Sequence, residues 1–225
     1  MKHEKQILLF VRYPEKGKVK SRLAAALNED MTLHLYRAFI ADVREMLTKS
    51  GYAIIVFYHP SARKHEIMNM FGGARDYVPQ CGNNLGGRMK NAFIYCFSKM
   101  RMHNAILIGS DVPDLTDAIL QEAWGALDTH DAVIGPALDG GYYLIGFTRR
   151  AFLPSVFDNI EWGTDTVYAR TMQLFRAHHR TVQCLAPWRD IDTIDDLQDL
   201  QQRHKTTAFL HSHTLTYLRE INLLD

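Results

Sequence analysis

Short, nearly continuous apolar runs alternate along this chain with longer stretches in which apolar residues recur every third or fourth position. Residues 6–12 (QILLFVR) and 53–58 (AIIVFY) have the first pattern, which belongs to strands buried on both faces. Met31, Leu35, Phe39, Val43, Met46 and Leu47 have the second, a stripe along one side of a helix that Gly51 is placed to stop. Read the same way, 62–70, 85–100, 116–127, 164–178 and 194–203 are helices, and 105–109, 132–135, 142–147 and 181–185 are strands. Strands alternating with helices predict an α/β chain with a mainly parallel mixed sheet covered on both faces, a three-layer α/β/α Rossmann-like sandwich. Ligands of such sheets sit in the loops that leave the C-terminal strand ends. No repeat, low-complexity segment or long linker divides the chain, so 1–205 reads as one domain and 206–225 as a C-terminal helical tail. Phe209, Leu210, Leu215 and Leu218 of the tail are placed to pack on that body or on a second subunit, which would make a homodimer.

Composition narrows the classes of function. The 225 residues are 47% hydrophobic, and 26 Lys+Arg against 25 Asp+Glu leave a formal net charge of +1. No global field recruits nucleic acid or an anionic membrane, so any anion site must come from local clustering. The longest apolar runs are about a quarter of the roughly 20 residues that a membrane span needs. Residues 1–5 lead straight into a short apolar run, too short for a signal peptide. Cys81, Cys96 and Cys184 form no CxxC pair, which argues against a disulfide framework or a zinc knuckle. The expectation is a soluble cytoplasmic protein.

One cluster breaks the charge balance. Residues 12–22 hold five cations, Arg12, Lys16, Lys18, Lys20 and Arg22, where the chain average predicts about one. They follow the first buried strand directly, Pro14 and Gly17 set a tight turn, and four of them stand at alternating positions. Like charges gathered this way cost energy unless an anion collects them. A loop that leads into a helix also offers backbone N–H groups to phosphate oxygens. The Walker and GxGxxG patterns are absent. These features favour a di- or triphosphate site over a merely solvated run.

Further candidates lie after later strands. Asp111, in 108–115 (IGSDVPDL), falls at a strand end beside a proline turn, and its spacing suits turn capping as well as metal binding. In 188–197 (WRDIDTIDDL), Asp192 or Thr193 can cap the following helix while Asp195 and Asp196 complement its positive end. Asp190 is left unexplained. Gln80, in 80–89 (QCGNNLGGRM), carries an amide able to read a base edge, Arg88 is a further phosphate ligand, and the whole stretch equally suits a Gly/Asn turn with an N-cap. Asp139, Gly140 and Gly141, in 135–146 (GPALDGGYYLIG), form either a hairpin turn or a substrate loop. Glu161 reads first as a loop acid ahead of a Thr164 N-cap, and second as a general base.

The string from Phe10 to Leu23 (FVRYPEKGKVKSRL) resembles the first motif of the bacterial DUF2064 proteins, the glycosyltransferase A-like family, grouped with nucleotide-diphospho-sugar transferases. Gly-Ser-Asp-x-Pro around Asp111, Ala-x-Asp-Gly-Gly-Tyr around Asp139 and Trp-x-Asp-Ile-Asp-Thr around Asp190 resemble later motifs. Arg12, Ser21 and Asn84 stand where the family usually has Lys, Thr and Asp. The resemblance implies the nucleotide-diphospho-sugar transferase (GT-A) fold and a metal-dependent transfer of sugar from an NDP-sugar to a small-molecule acceptor. It implies that Arg12, Lys16, Lys18, Lys20, Arg22 and Arg88 contact the nucleotide phosphates, with Gln80, Gly140 and Gly141 lining the ligand. Asp111, with Asp190 or Asp192, would hold Mg2+ or Mn2+, and Asp139 would orient the sugar or act as base. The alternatives are a nucleotidyltransferase that uses an NTP and releases pyrophosphate, and a non-catalytic nucleotide-binding protein.

Overall fold

The apolar run near the start of the chain becomes the middle of the sheet. In the computed structural model, which describes residues 5–72 and 76–223, it is strand β1 (Lys5–Arg12). The short leader discussed above falls largely outside the described residues. Then follow α1 (Ser21–Leu27), α2 (Glu29–Ser50), β2 (Ala53–His59), α3 (Lys64–Phe71), β3 (Asp76–Pro79) and α4 (Leu85–Ile94). The second half comprises β4 (Asn104–Ile108), α5 (Asp117–Ala126), β5 (Ala132–Pro136), β6 (Tyr142–Thr148), α6 (Val167–Ala177), β7 (Val182–Cys184), α7 (Ile194–Arg203) and α8 (His213–Glu220). The strands form one sheet in the order β3-β2-β1-β4-β6-β5-β7. All pairings among the described strands are parallel except those of β6 with β4 and β5.

Alternation along β1 shows why the run is apolar throughout. Ile7, Leu9 and Val11 enter one core with Leu35, Phe39 and Val43 of α2. Leu8 and Phe10 enter the other with Met89 and Phe93 of α4 and Phe175 of α6. Successive side chains of a strand point to opposite faces, so both faces must be apolar. Phe93, fully buried against Phe147, Phe152 and Phe157, contributes about 1.5–3 kcal/mol by burial alone. The result is the predicted three-layer α/β/α sandwich with a mixed sheet.

Some boundaries differ from the sequence reading. The helix expected over 85–100 leaves α geometry at Ile94 and continues as a π turn over Tyr95–Lys99. The helix expected from 164 begins only at Val167; the Thr164 hydroxyl instead donates to the Glu161 carbonyl at 2.8 Å. Helix α8 packs on α2, burying Leu215 and Leu218. The Asp42 carboxylate of α2 accepts from the backbone N–H groups of His213 and Thr214 at 2.8 and 2.9 Å, and from the Thr214 hydroxyl. Among the described residues no helix is long and apolar enough to cross a membrane.

The topology gathers the unusual loops. Arg12, His59, Gln80, Asp111 and the β5–β6 connection all lie at the C-terminal ends of parallel strands, and the segment after β7 crosses the same edge.

Candidate functional site

Strand β1 ends at Arg12, and the cationic loop returns to the body where Val19 and Leu23 are buried. Between those anchors Lys20 has φ 48° and ψ 53°, a left-handed conformation that is costly for a residue with a Cβ. Its Nζ lies 2.6 Å from Asp192 Oδ1 and 3.1 Å from Asp111 Oδ1. The Lys20 side chain is 6% exposed, against 49% for Asp111 and 38% for Asp192. Burial disfavours the ammonium, but the two carboxylates outweigh it and raise its pKa.

Hydrogen bonds fix the two carboxylates. The Tyr36 hydroxyl donates to the Arg12 carbonyl at 3.2 Å and meets the Ser110 hydroxyl at 2.9 Å, tying the ends of β1 and β4 together. The Ile191 N–H donates to the Asp111 carbonyl at 3.1 Å. Asp114, 2% exposed, accepts from Trp188 Nε1 at 3.0 Å and Arg203 Nη1 at 2.8 Å, and lies 2.9 Å from His204 Nε2. The Trp188 N–H donates to the Pro136 carbonyl and its own carbonyl accepts from Leu138, both at 3.0 Å. The segment carrying Asp190 and Asp192 is thus laid between the Asp111 and Asp139 loops. Thr193 is the N-cap of α7 and forms a capping box with Asp196, which leaves Asp192 free to reach Lys20.

Asp190 stands beside these groups. Burial, then the negative charges of Asp139 and Asp192, raise its pKa to about 6, with Lys20 opposing. Asp139 Oδ1 accepts from the Gly141 N–H at 2.8 Å, so the hairpin reading of this stretch holds as geometry while the same turn brings Asp139 near Asp190. Gly140 has φ 90°, and a Cβ there would lie 2.1 Å from the Asp165 carbonyl oxygen. Gly140→Ala is therefore expected to lose about 2 kcal/mol or more of stability. Gly125→Ala, in open space on α5, should gain about 0.5–1 kcal/mol. Urea melts of the two variants check the contrast.

Two cavities occupy the strand ends. One, of about 350 Å³, is lined by Arg12, Lys18, Lys20, Arg22, Asp111 and Asp192, together with Val19, Ser21 and Tyr36. Its neighbour, of about 300 Å³, includes His59, Gln80, Leu85, Arg88 and Tyr142, and shares Arg12, Tyr36 and Asp111 with the first. Among the described residues, Arg12, Lys18, Arg22 and Arg88 form no ion pair with a carboxylate. Lys16 differs: it pairs with Asp30 at 2.7 Å and lines neither cavity.

Other candidates have local partners. Gln80 Nε2 donates to the Phe57 and Val11 carbonyls at 2.9 and 3.4 Å, which fixes the flip of an amide that lines the second cavity. Asn84 caps α4, accepting from the Gly87 N–H at 2.8 Å. Gly86 lets α4 sit against Trp162, where a Cβ would lie 2.4 Å from the indole. Glu161 is exposed and lines neither cavity. Sequence reasoning passed over Tyr36 and His59. Tyr36 sits beside the apolar stripe of α2, and His59 ends a parallel strand, the position that could have marked it. Burial, then the cationic Arg88 and Arg12, lower the His59 pKa.

No group of three or more His, Cys, Asp or Glu side chains among the described residues is placed to hold a metal ion. Asp111 and Asp192 nevertheless direct one oxygen each at a single cationic point, with Asp190 and Asp139 adding negative charge nearby. Such an oxygen set fits Mg2+ or Mn2+.

A family model described as "Uncharacterized protein conserved in bacteria (DUF2064)" matches residues 42–164. The crystal structure of a candidate nucleotide-diphospho-sugar transferase from Desulfovibrio desulfuricans G20 is 38% identical, covering 98% of this chain and 96% of its own, with a TM-score of 0.94. The 4-diphosphocytidyl-2C-methyl-D-erythritol synthase from Anaerococcus prevotii DSM 20548 is 11% identical, covering 89% and 96%, with a TM-score of 0.56. Rv0371c from Mycobacterium tuberculosis H37Rv, in a manganese complex, is 15% identical, covering 88% and 97%, with a TM-score of 0.52. The latter two likenesses are of fold alone. No curated protein matches the chain.

Proposed function

This chain belongs to the DUF2064 family, and from that membership we propose that it transfers a sugar from a nucleoside-diphosphate sugar to a small-molecule acceptor, assisted by Mg2+ or Mn2+. One observation carries the reading: Arg12, Lys18 and Arg22, unpaired by any described carboxylate, share a cavity with Asp111 and Asp192. Free cations beside paired carboxylates suit a diphosphate and its divalent counter-ion. The 38% identical relative from Desulfovibrio desulfuricans, a candidate nucleotide-diphospho-sugar transferase, supports it.

In this mechanism Arg12, Lys18 and Arg22 bind the phosphate oxygens through charge-assisted hydrogen bonds. They also stabilise the charge that builds on the departing nucleoside diphosphate. Asp111 and Asp192 would hold the divalent ion, with Asp190 adding negative charge nearby. When bound, that ion supplies Lewis-acid neutralisation of the leaving phosphates. In the adjoining cavity Arg88 is a further phosphate ligand and Gln80 contacts the nucleotide beyond its phosphates. Gly140, at φ 90° and packed against the Asp165 carbonyl, and Gly141 turn the chain so that Asp139 orients a sugar hydroxyl or accepts the acceptor's proton.

A second reading, nucleotidyl transfer, is favoured by one feature: with Arg88, the cations lacking carboxylate partners suffice for a triphosphate. Incubation with NDP-sugars and acceptors, or with NTPs, sugar phosphates and Mg2+, separates the two. Metal-dependent release of NDP supports sugar transfer; metal-dependent release of pyrophosphate overturns it.

The phosphate assignment makes a contrast within one loop. Arg22→Ala should weaken nucleotide binding by about 1–3 kcal/mol. Lys16→Ala, removing a surface pair outside the cavity, should change it by less than about 0.5 kcal/mol. Titration calorimetry with nucleoside diphosphates reads both.

A further inference from the structure

Lys20 lies among the cations of the phosphate loop, yet it alone is locked to carboxylates in that cavity. Arg12, Lys18 and Arg22 are exposed, whereas the Lys20 ammonium is enclosed at 2.6 and 3.1 Å from Asp192 and Asp111. It therefore does the work of a counter-ion. Two carboxylates directed at one point repel each other, and a buried positive charge between them removes the repulsion.

We infer that Lys20 is an exchangeable internal counter-ion, which holds Asp111 and Asp192 in place and must be displaced when a divalent cation binds them. This role rests on the metal site proposed above. A divalent ion held by Asp111 and Asp192 would need their oxygens at close range, about 2.0–2.1 Å for Mg2+, so ammonium and ion would compete for the point where these carboxylates now meet Lys20. The geometry also says where the amine goes. Lys20 lines the cavity that Arg12, Lys18 and Arg22 line, and its flexible four-carbon stem lets the ammonium swing without moving the helix behind it. Once released it adds a further cation to that cavity, where only an anion relieves the crowding. Metal and phosphate thus each favour binding of the other, by linkage through one side chain. The left-handed backbone at Lys20, φ 48°, sets its stem at the boundary between the two sites.

Mn2+ alone is the probe, titrated while the resonance of free Mn2+ is followed by electron paramagnetic resonance. The chains compared are wild type, Lys20→Met and Lys20→Gly; glycine accepts the left-handed φ, so that variant keeps the loop conformation. Both variants should bind Mn2+ about tenfold tighter than wild type or better, because an opposing charge has been removed from the site. A merely structural lysine would not give tighter binding when lost. Equal or weaker Mn2+ affinity in both variants overturns the inference. Adding Asp111→Asn to Lys20→Gly should cancel the gain. If that double variant binds as tightly as Lys20→Gly, or if no chain binds Mn2+, the metal site itself falls and the role of Lys20 with it.

The unaltered protein supplies a second measurement. Lys20 acetylation by acetic anhydride, read by mass spectrometry against Lys16 and Lys18, should rise several-fold at saturating Mn2+. An unchanged rate with Mn2+ bound overturns the exchange.

Discussion

Asp111→Asn should weaken Mn2+-dependent binding of a nucleoside diphosphate by about 2 kcal/mol, the scale of a lost contact to a charged group. The substitution keeps size and one acceptor oxygen but removes the charge. Lys20 keeps its 2.6 Å bond to Asp192, so the loop keeps its place and the melting temperature should stay within a few degrees. The sign of the effect should depend on conditions. In chelator, where no cation bridges carboxylate and phosphate, losing a negative charge beside the phosphates should leave binding unchanged or tighten it. Calorimetry with and without Mn2+ reads both arms. Equal weakening in the two would make Asp111 a structural residue.

Asp114→Ala should be the most destabilising single change near the site. Its carboxylate is sealed from solvent and holds Trp188, Arg203 and His204. Removing it leaves the Arg203 guanidinium with Asp199 as its one carboxylate partner among the described residues, a type of loss that costs about 3–5 kcal/mol when the pair is buried. Arg203 is partly exposed, so the lower end of that range applies, a drop in melting temperature of roughly 10 °C for a chain of this size. Because Trp188 begins the segment that delivers Asp190 and Asp192, nucleotide binding should weaken as well. Asp114→Asn, which keeps an acceptor for one of the donors, should fall between. Thermal melts check the order, and a shift under about 2 °C in the alanine variant would contradict it.

How far the sequence disclosed this molecule depends on how local each feature is. Strands β1 and β2 were legible because parallel strands covered on both faces must be apolar at every position, and α2 because one face meets a core. Strand β3 (DYVP) was not: it is a four-residue edge strand with no fully buried position, so nothing forces an apolar run. Helix α1 was hidden because it opens inside the cationic stretch, behind a left-handed lysine. The site divides the same way. That Asp111, Asp139 and Asp190 follow strand ends could be read from the pattern. That Lys20 sits between Asp111 and Asp192 could not, since Asp192 is 172 residues away along the chain. Alternation made Lys16 and Lys18 look alike, but the turn between them sends one to Asp30 and the other to the cavity.

The central claim is that the amino-terminal cations and the distant carboxylates enclose one diphosphate group. A crystal structure with a nucleoside diphosphate and Mn2+, examined by anomalous scattering, tests it most directly. The expected result is a manganese peak between Asp111 and Asp192, with phosphate oxygens in hydrogen-bond reach of Arg12 and Arg22. A diphosphate bound away from Arg22, or manganese bound away from both carboxylates, would contradict it.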